Sequence, residues 1–167
     1  MSQNSICTAR LMLRVGKLDD AAALATALGD QKVAEQLSRV PWPYTRNDAE
    51  RFIAGMTRDY LPRFLIFERR DEKEALVGGV GVTRGGDAIK IGYWVARRAW
   101  GLGIATEAVG AFLDHLRAEG WESVLAEHKP DNAASARVLD KLGFTICKNA
   151  PDEAKSQSSL VLLEKRL

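Results

Sequence analysis

The chain has 167 residues, 46% hydrophobic and 28% charged, with a formal net charge of +2. That length favours one domain, taken here as residues 1–167, and the near-balanced charge gives no reason to expect a nucleic-acid partner. No run approaches the roughly 20 apolar residues that span a bilayer, and MSQNSICTAR lacks the pattern of a secretory signal, so the expectation is a cytoplasmic protein with no membrane partner.

Alternation in ARLMLRVG puts Leu11, Leu13 and Val15 on one side and predicts the first strand. LDDAAALATALGD is rich in helix formers, with Asp19 or Asp20 placed to cap it and Gly29 to end it. A short helix is predicted over Lys32 to Arg39, broken by Pro41 and Pro43. Thr45 with Asp48 three residues on makes an approximate capping box and starts a helix expected to reach about Arg58. RFLIFERR, ALVGGVGVTR and IKIGYWVA follow as three strands joined by the turns DEKE and GGDA, an antiparallel meander.

RRAWGLGIATEA then sets Gly101 and Gly103 ahead of a helix predicted from Ile104 to Glu119 and ended by Gly120. WESVLAE is the next strand, and Asn132 to Leu142 is the last helix, stopped by Gly143. Strands near Phe144 to Lys148 and Ser159 to Glu164 close the chain. This order predicts an α+β (mixed α/β) fold: a mostly antiparallel sheet of six or seven strands with about four helices. Exposed sheet edges make a homodimer plausible. Cys7 and Cys147 are too few and too far apart for a metal site or a disulfide framework, and no metal is expected.

Glycines just ahead of a helix point to an anion. The helix start offers unpaired N–H groups and partial positive charge, and glycine lets the backbone come close. No GxxxxGK[ST] string is present. The dinucleotide pattern GxGxxG is met only at Gly101 and Gly103, with Thr106 where the third glycine belongs and a single strand–helix–strand unit around it. A third pattern, R/Q-x-x-G-x-G/A, fits Arg98-Ala-Trp-Gly101-Leu-Gly103. TARLMLR, IGYWV, GIATEA and PDNAASARVLDKLGF also occur in order from residue 8 to about 146. Together these segments resemble the GNAT superfamily of N-acetyltransferases. The resemblance is greatest to the branch of bacterial enzymes that acetylate the N-terminal amines of ribosomal proteins.

The resemblance implies acetyl transfer from acetyl-CoA to a primary amine, of a protein N-terminus or a small molecule, by direct attack within a ternary complex. The N–H groups from about Arg98 through Gly101, Leu102, Gly103 and Ile104 to Ala105 would face the pyrophosphate, with Arg98 adding charge. It also implies a bulge in the strand Tyr93-Trp94-Val95-Ala96 and a gap between it and Val124–Glu127, holding the pantetheine arm. An N–H near Trp94 or Val95 would hold the thioester oxyanion. Asn132 would bond the arm, unless it serves only as a helix cap, and Ser135 would sit near the sulfur.

Leu139 stands where many members carry a tyrosine that protonates the leaving thiolate, so water or Ser135 would serve instead. That substitution also supports the alternative of a non-catalytic acetyl-CoA sensor. Candidates for the base that deprotonates the amine are Glu127, His128 and Asp131. Neighbouring strand residues point to opposite faces, and Glu127 is preferred. Tyr93 and Trp94 are read as core packing, and Glu107 as a charge favouring its helix N-terminus. VPWPYT, with Trp42 and Tyr44, is either one wall of the acceptor site or a packed turn.

Overall fold

The structure, a computed structural model, describes residues 5–37, 40–58, 60–70, 73–147 and 160–167. Among these, the strands are β1 (Ser5–Cys7), β2 (Leu11–Arg14), β3 (Arg63–Arg70), β4 (Lys73–Gly85), β5 (Ala88–Val95), β6 (Ser123–His128), β7 (Thr145–Ile146) and β8 (Val161–Arg166). The helices are α1 (Ala21–Leu28), α2 (Gln31–Ala34), α3 (Arg46–Gly55), α4 (Ile104–Ala118) and α5 (Ala133–Lys141). All eight strands join one sheet in the order β1-β2-β3-β4-β5-β6-β8-β7. Every pairing is antiparallel except β5 with β6.

The sheet therefore has one or two strands more than the sequence predicts. The addition is β1, whose three residues carry no alternation to read. It forms because Thr8 N–H bonds the Leu11 carbonyl at 2.9 Å and folds Ser5–Cys7 back along β2. Asp30 caps α2 through its bond from Lys32 N–H, 2.9 Å, so this helix starts one residue early and is a single turn. Its predicted end at Arg39 lies outside the described residues, as do the first half of the DEKE turn, Lys148 and Ser159. The capping box is present: Thr45 Oγ1 accepts from Asp48 N–H and Asp48 Oδ2 accepts from Thr45 N–H at 2.9 Å.

Apolar residues on both sides of β3 divide the interior into two layers. Phe64 and Ile66 face α4 and α5, packing with Leu11, Leu13, Ile89, Ile91, Phe112 and Leu139. Leu65 and Phe67 face α1 to α3, packing with Leu24, Leu28, Val33, Ile53 and Leu76. This is how a central strand buried on both faces comes to read as an unbroken apolar run.

The bulge expected in β5 lies instead in its neighbour. Ile66 pairs with Gly78 and Phe67 with Leu76, leaving Val77 of β4 as the extra residue. The β4–β5 ladder runs without interruption from Gly78↔Val95 to Gly85↔Ala88.

Arg14 pins β2 to the start of α1. Its guanidinium gives two bonds to Asp20, 2.8 and 3.1 Å, reaches Glu74 Oε2 at 3.1 Å and lies 3.8 Å from the centre of the Phe67 ring. Burial pushes the Asp20 carboxyl up, but the bonds from Arg14 and Lys17 N–H outweigh it and hold the group below its ordinary value of 3.8. A carboxyl lowered on folding stabilises the fold above the unfolded-state value, and that contribution disappears as pH falls through the folded-state value. Asp20→Asn is therefore expected to cost about 1–2 kcal/mol near neutrality. The difference from the unaltered chain should close below about pH 3.8. Thermal melts across an acid pH series measure it.

Candidate active site

The parallel pairing of β5 with β6 is limited to Lys90↔Leu125 and Ile91↔Ala126. Beyond Ile91 and Ala126 the strands part, because β5 stays with β4 up to the Gly78↔Val95 pair. The register also moves the far bank of the gap. Val124 to Ala126 lie alongside β5 before the opening, so Tyr93–Ala96 face the end of β6 and the turn after it rather than Val124–Glu127.

Backbone direction separates the three residues proposed on the near bank. The Trp94 carbonyl points at β4: a Cβ built on Gly78 would come under 3.0 Å from it. Ala96 N–H also bonds β4, at the Val77 carbonyl, 2.8 Å. Val95, between them, turns the other way, and its carbonyl accepts the Trp100 indole N–H at 2.8 Å. Of the three, Val95 is the residue whose amide is directed into the gap. The Trp94 indole lies over Gly79, on the α1–α3 side of the sheet.

After β5 the chain makes one 3-10 turn, Arg97–Ala99, and enters the glycine loop. Gly101 (φ +75°) and Gly103 (φ +77°) are both in the left-handed region. Gly103 stands at the N-terminus of α4, and its carbonyl accepts the Glu107 N–H at 3.1 Å. The amides of Ile104, Ala105 and Thr106 thus precede the first bond of the helix. Arg98 Nη2 donates to the Leu76 carbonyl and ties the loop to the bulged part of β4. Arg97 reaches toward Asp30, 3.9 Å away.

The loop is also gripped from the other end of the sequence. Glu107 Oε1 accepts from Thr8 Oγ1 at 2.5 Å and from Arg10 N–H at 3.2 Å, and Glu107 Oε2 accepts from Arg10 Nε at 2.8 Å. Arg10 Nη1 donates to the Leu102 carbonyl at 3.0 Å. Burial pushes the Glu107 carboxyl up, but the bonds from Thr8 and Arg10 prevail and hold it below the usual carboxylate range. Glu107 thus does more than favour its helix terminus. Sequence reasoning missed this clamp because its partners lie 97 and 99 positions away.

On the far bank, Asn132 caps α5 by accepting Ser135 N–H on Oδ1, 3.0 Å, which leaves its amide N–H groups as donors. Ser135 Oγ lies 2.8 Å from the Tyr93 hydroxyl. Tyr93 packs at the edge of the α4–α5 layer, and burial raises its phenol against the opposing effect of the Ser135 bond. Tyr93 is thus a core-packing aromatic, as expected, that also hydrogen-bonds Ser135. Leu139 is fully buried in the same layer.

Glu127 is on the other side of the sheet. Val124 and Ala126 belong to the α4–α5 layer, so Leu125 and Glu127 face α1 to α3. Glu127 Oε1 pairs with Lys90 Nζ at 2.8 Å, each side chain about a quarter exposed. Glu127 and Ser135 are therefore not brought together but flank the gap from opposite faces. His128 shares the Ser135 side, with Nδ1 2.8 Å from the Lys129 carbonyl.

Lys129 Nζ bonds the Glu35 carbonyl, and Arg97 approaches Asp30, so the α2 corner is linked to both banks on the Glu127 face. Trp42 is exposed nearby in sequence, whereas Tyr44 packs on the α1–α3 layer. The Tyr44 hydroxyl is pushed up to about 12 by burial and then by the Asp48 charge. Among the described residues no group of three or more His, Cys, Asp or Glu side chains is placed to hold a metal. No helix among them is long and apolar enough to cross a membrane.

The sequence pattern of the acetyltransferase (GNAT) domain matches residues 10–145. The chain belongs to the GNAT acetyltransferase family. It is 28% identical over 164 residues to the uncharacterized N-acetyltransferase p20 of Bacillus licheniformis, spanning 94% of this chain and 91% of that one.

Two solved structures among those that superpose on this chain illustrate the fold. The ribosomal-protein-S5-alanine acetyltransferase of Vibrio fischeri superposes with a TM-score of 0.78 at 20% identity, covering 98% of this chain and 97% of that one. RimJ of Mycobacterium smegmatis, solved in complex with CoA-disulfide, gives 0.74 at 25% identity, covering 93% and 81%. The eight-stranded mixed sheet is thus a GNAT fold, and the protein is an acyltransferase enzyme that carries out acetyl transfer.

Proposed function

We propose that this GNAT enzyme transfers the acetyl group of acetyl-CoA to a primary amine, a peptide N-terminus or a small-molecule amine, by direct attack in a ternary complex. The observation that carries this reading is the parting of β5 from β6 next to the glycine loop. An extended acyl-pantetheine arm fits between two strands that share no ladder beyond Ile91 and Ala126, and a diphosphate fits the start of α4. The loop amides from Leu102 to Ala105 receive the diphosphate. The Val95 amide bonds the thioester oxygen as charge grows on it. The Asn132 amide bonds the arm, and the Ser135 hydroxyl, supported by Tyr93, donates to the sulfur as the C–S bond breaks.

The division of side chains between the two faces lets one group serve the incoming amine and another the departing thiol. Glu127 lies on the α1–α3 face and takes the proton that the ammonium must lose before attack, through the carboxylate oxygen that Lys90 leaves open or through a water. Ser135 lies on the α4–α5 face, where the thiol departs. The amine adds to the acyl carbon, the tetrahedral adduct collapses with loss of the thiolate, and the acetyl group reaches the amine with no covalent enzyme intermediate.

Ser135→Ala is expected to lower kcat about tenfold, the worth of one hydrogen bond to a developing charge, with little change in the KM for acetyl-CoA. Steady-state thiol release measures both. The function itself is tested by incubating the protein with acetyl-CoA and a panel of N-terminal peptides and small amines, reading products by mass. Thiol release and an acetylated amine are the expected result. CoA binding with no turnover on any amine would overturn the reading in favour of a sensor.

A further inference from the structure

We propose that Arg10 is a positioning residue for the coenzyme: it turns the Leu102 carbonyl away from the diphosphate site and neutralises Glu107 at the mouth of α4. The inference rests on the reading of the glycine loop given above, and the clamp geometry adds to it. Leu102 sits between two glycines with positive φ, so the flanking peptide planes have little intrinsic preference. Were the Leu102–Gly103 peptide to rotate, its carbonyl would face the anion and the Gly103 N–H would leave it. The 3.0 Å bond from Arg10 Nη1 selects the orientation that keeps N–H groups inward.

Glu107 poses a second problem that Arg10 answers. A carboxylate in the first turn of α4 occupies the same favourable end of the helix as the incoming anion and repels it. Here both carboxylate oxygens are engaged, by Thr8 Oγ1, Arg10 N–H, Arg10 Nε and Arg10 Nη2. The anion therefore meets a neutral pair. The Glu107 side chain is 22% exposed and that of Arg10 46%, so the pair sits at the rim, where removal of the cation leaves the acid facing the loop.

Calorimetry with CoA and steady-state kinetics on four chains test this: the unaltered protein, Arg10→Met, Arg10→Lys, and Arg10→Met/Glu107→Gln. In Arg10→Met the Kd for CoA and the KM for acetyl-CoA are expected to rise about tenfold, as for loss of one charge-assisted hydrogen bond, with kcat at saturation retained. The double variant should recover part of the loss, because the unpaired carboxylate is gone, but not all, because the Leu102 carbonyl is no longer held. Added salt should shrink the defect of the single variant, whose repulsion is screened, and leave that of the double variant. Arg10→Lys keeps the charge but not the paired bonds, and should fall between the unaltered chain and Arg10→Met. It decides the matter if Arg10→Met does not fold.

An unchanged Kd in a folded Arg10 variant overturns the proposal. So does a loss of kcat that saturating acetyl-CoA does not restore, which would mark a purely structural role. If the unaltered protein itself binds no CoA, the loop reading fails and this inference fails with it.

Discussion

Gly103→Ala is expected to weaken CoA binding by about ten- to a hundredfold while leaving the fold intact. The reason is conformation rather than space. A Cβ at this position would meet nothing closer than Arg10 Nη2 at 3.5 Å, an ordinary contact. The φ of +77° is another matter, since an L-residue held there costs about 1–3 kcal/mol. The free loop can escape that strain by rotating the peptide planes on either side of residue 103. Those planes carry the amides assigned to the diphosphate, so binding must restore the strained form, and the cost appears in Kd. Gly120 offers the control. It has a φ of +89°, lies beyond the other end of α4 and has open space where a Cβ would go. Gly120→Ala should lower the melting temperature by a similar conformational cost and leave Kd alone. Calorimetry and thermal melts on the two variants separate these outcomes.

The largest effect on stability is expected at Gly78. A methyl group there would come under 3.0 Å from the Trp94 carbonyl and 3.2 Å from Ile66 Cδ1. The first of these is backbone of the neighbouring strand, which cannot swing aside as a side chain would. Either β4 and β5 separate at the Gly78↔Val95 pair or the ladder twists. Overpacking of this kind costs about 3 kcal/mol, a fall of roughly 6–12 °C in melting temperature for a chain of this size. Gly92→Ala, on β5 in the same ladder, has nothing within 4 Å of the added carbon. It should melt close to the unaltered protein. Equal melting of the Gly78 and Gly92 variants would refute the steric argument.

Local patterns were the legible part of the sequence. RFLIFERR gives a strand with both sides apolar, and β3 occupies those eight residues. Thr45 and Asp48 set a helix start through bonds that span three residues. The glycine loop and the start of α4 are legible because positive φ and helix capping are properties of single positions. What could not be read were the features that depend on who meets whom across the fold. The bulge falls at Val77 because of the β3 register, not because of anything in the neighbouring residues. Tyr93 reads as a core aromatic until α5 brings Ser135 to its hydroxyl. The Arg10 and Glu107 pair has no local signature, although each belongs to a segment, TARLMLR or GIATEA, that carried the family resemblance. Glu127 and Ser135 read as members of one site, and the sheet sets them on opposite faces of the gap.

The two residue pairs that join β5 to β6 compare with eight between β4 and β5 and six between β6 and β8. The molecule is therefore built like a book whose leaves share a two-rung spine. Bending between the leaves concentrates at that spine, because parting them there breaks only two rungs. A molecule lying across both leaves would act as additional binding for the spine, so the protein should be stiffest as a whole when that place is filled.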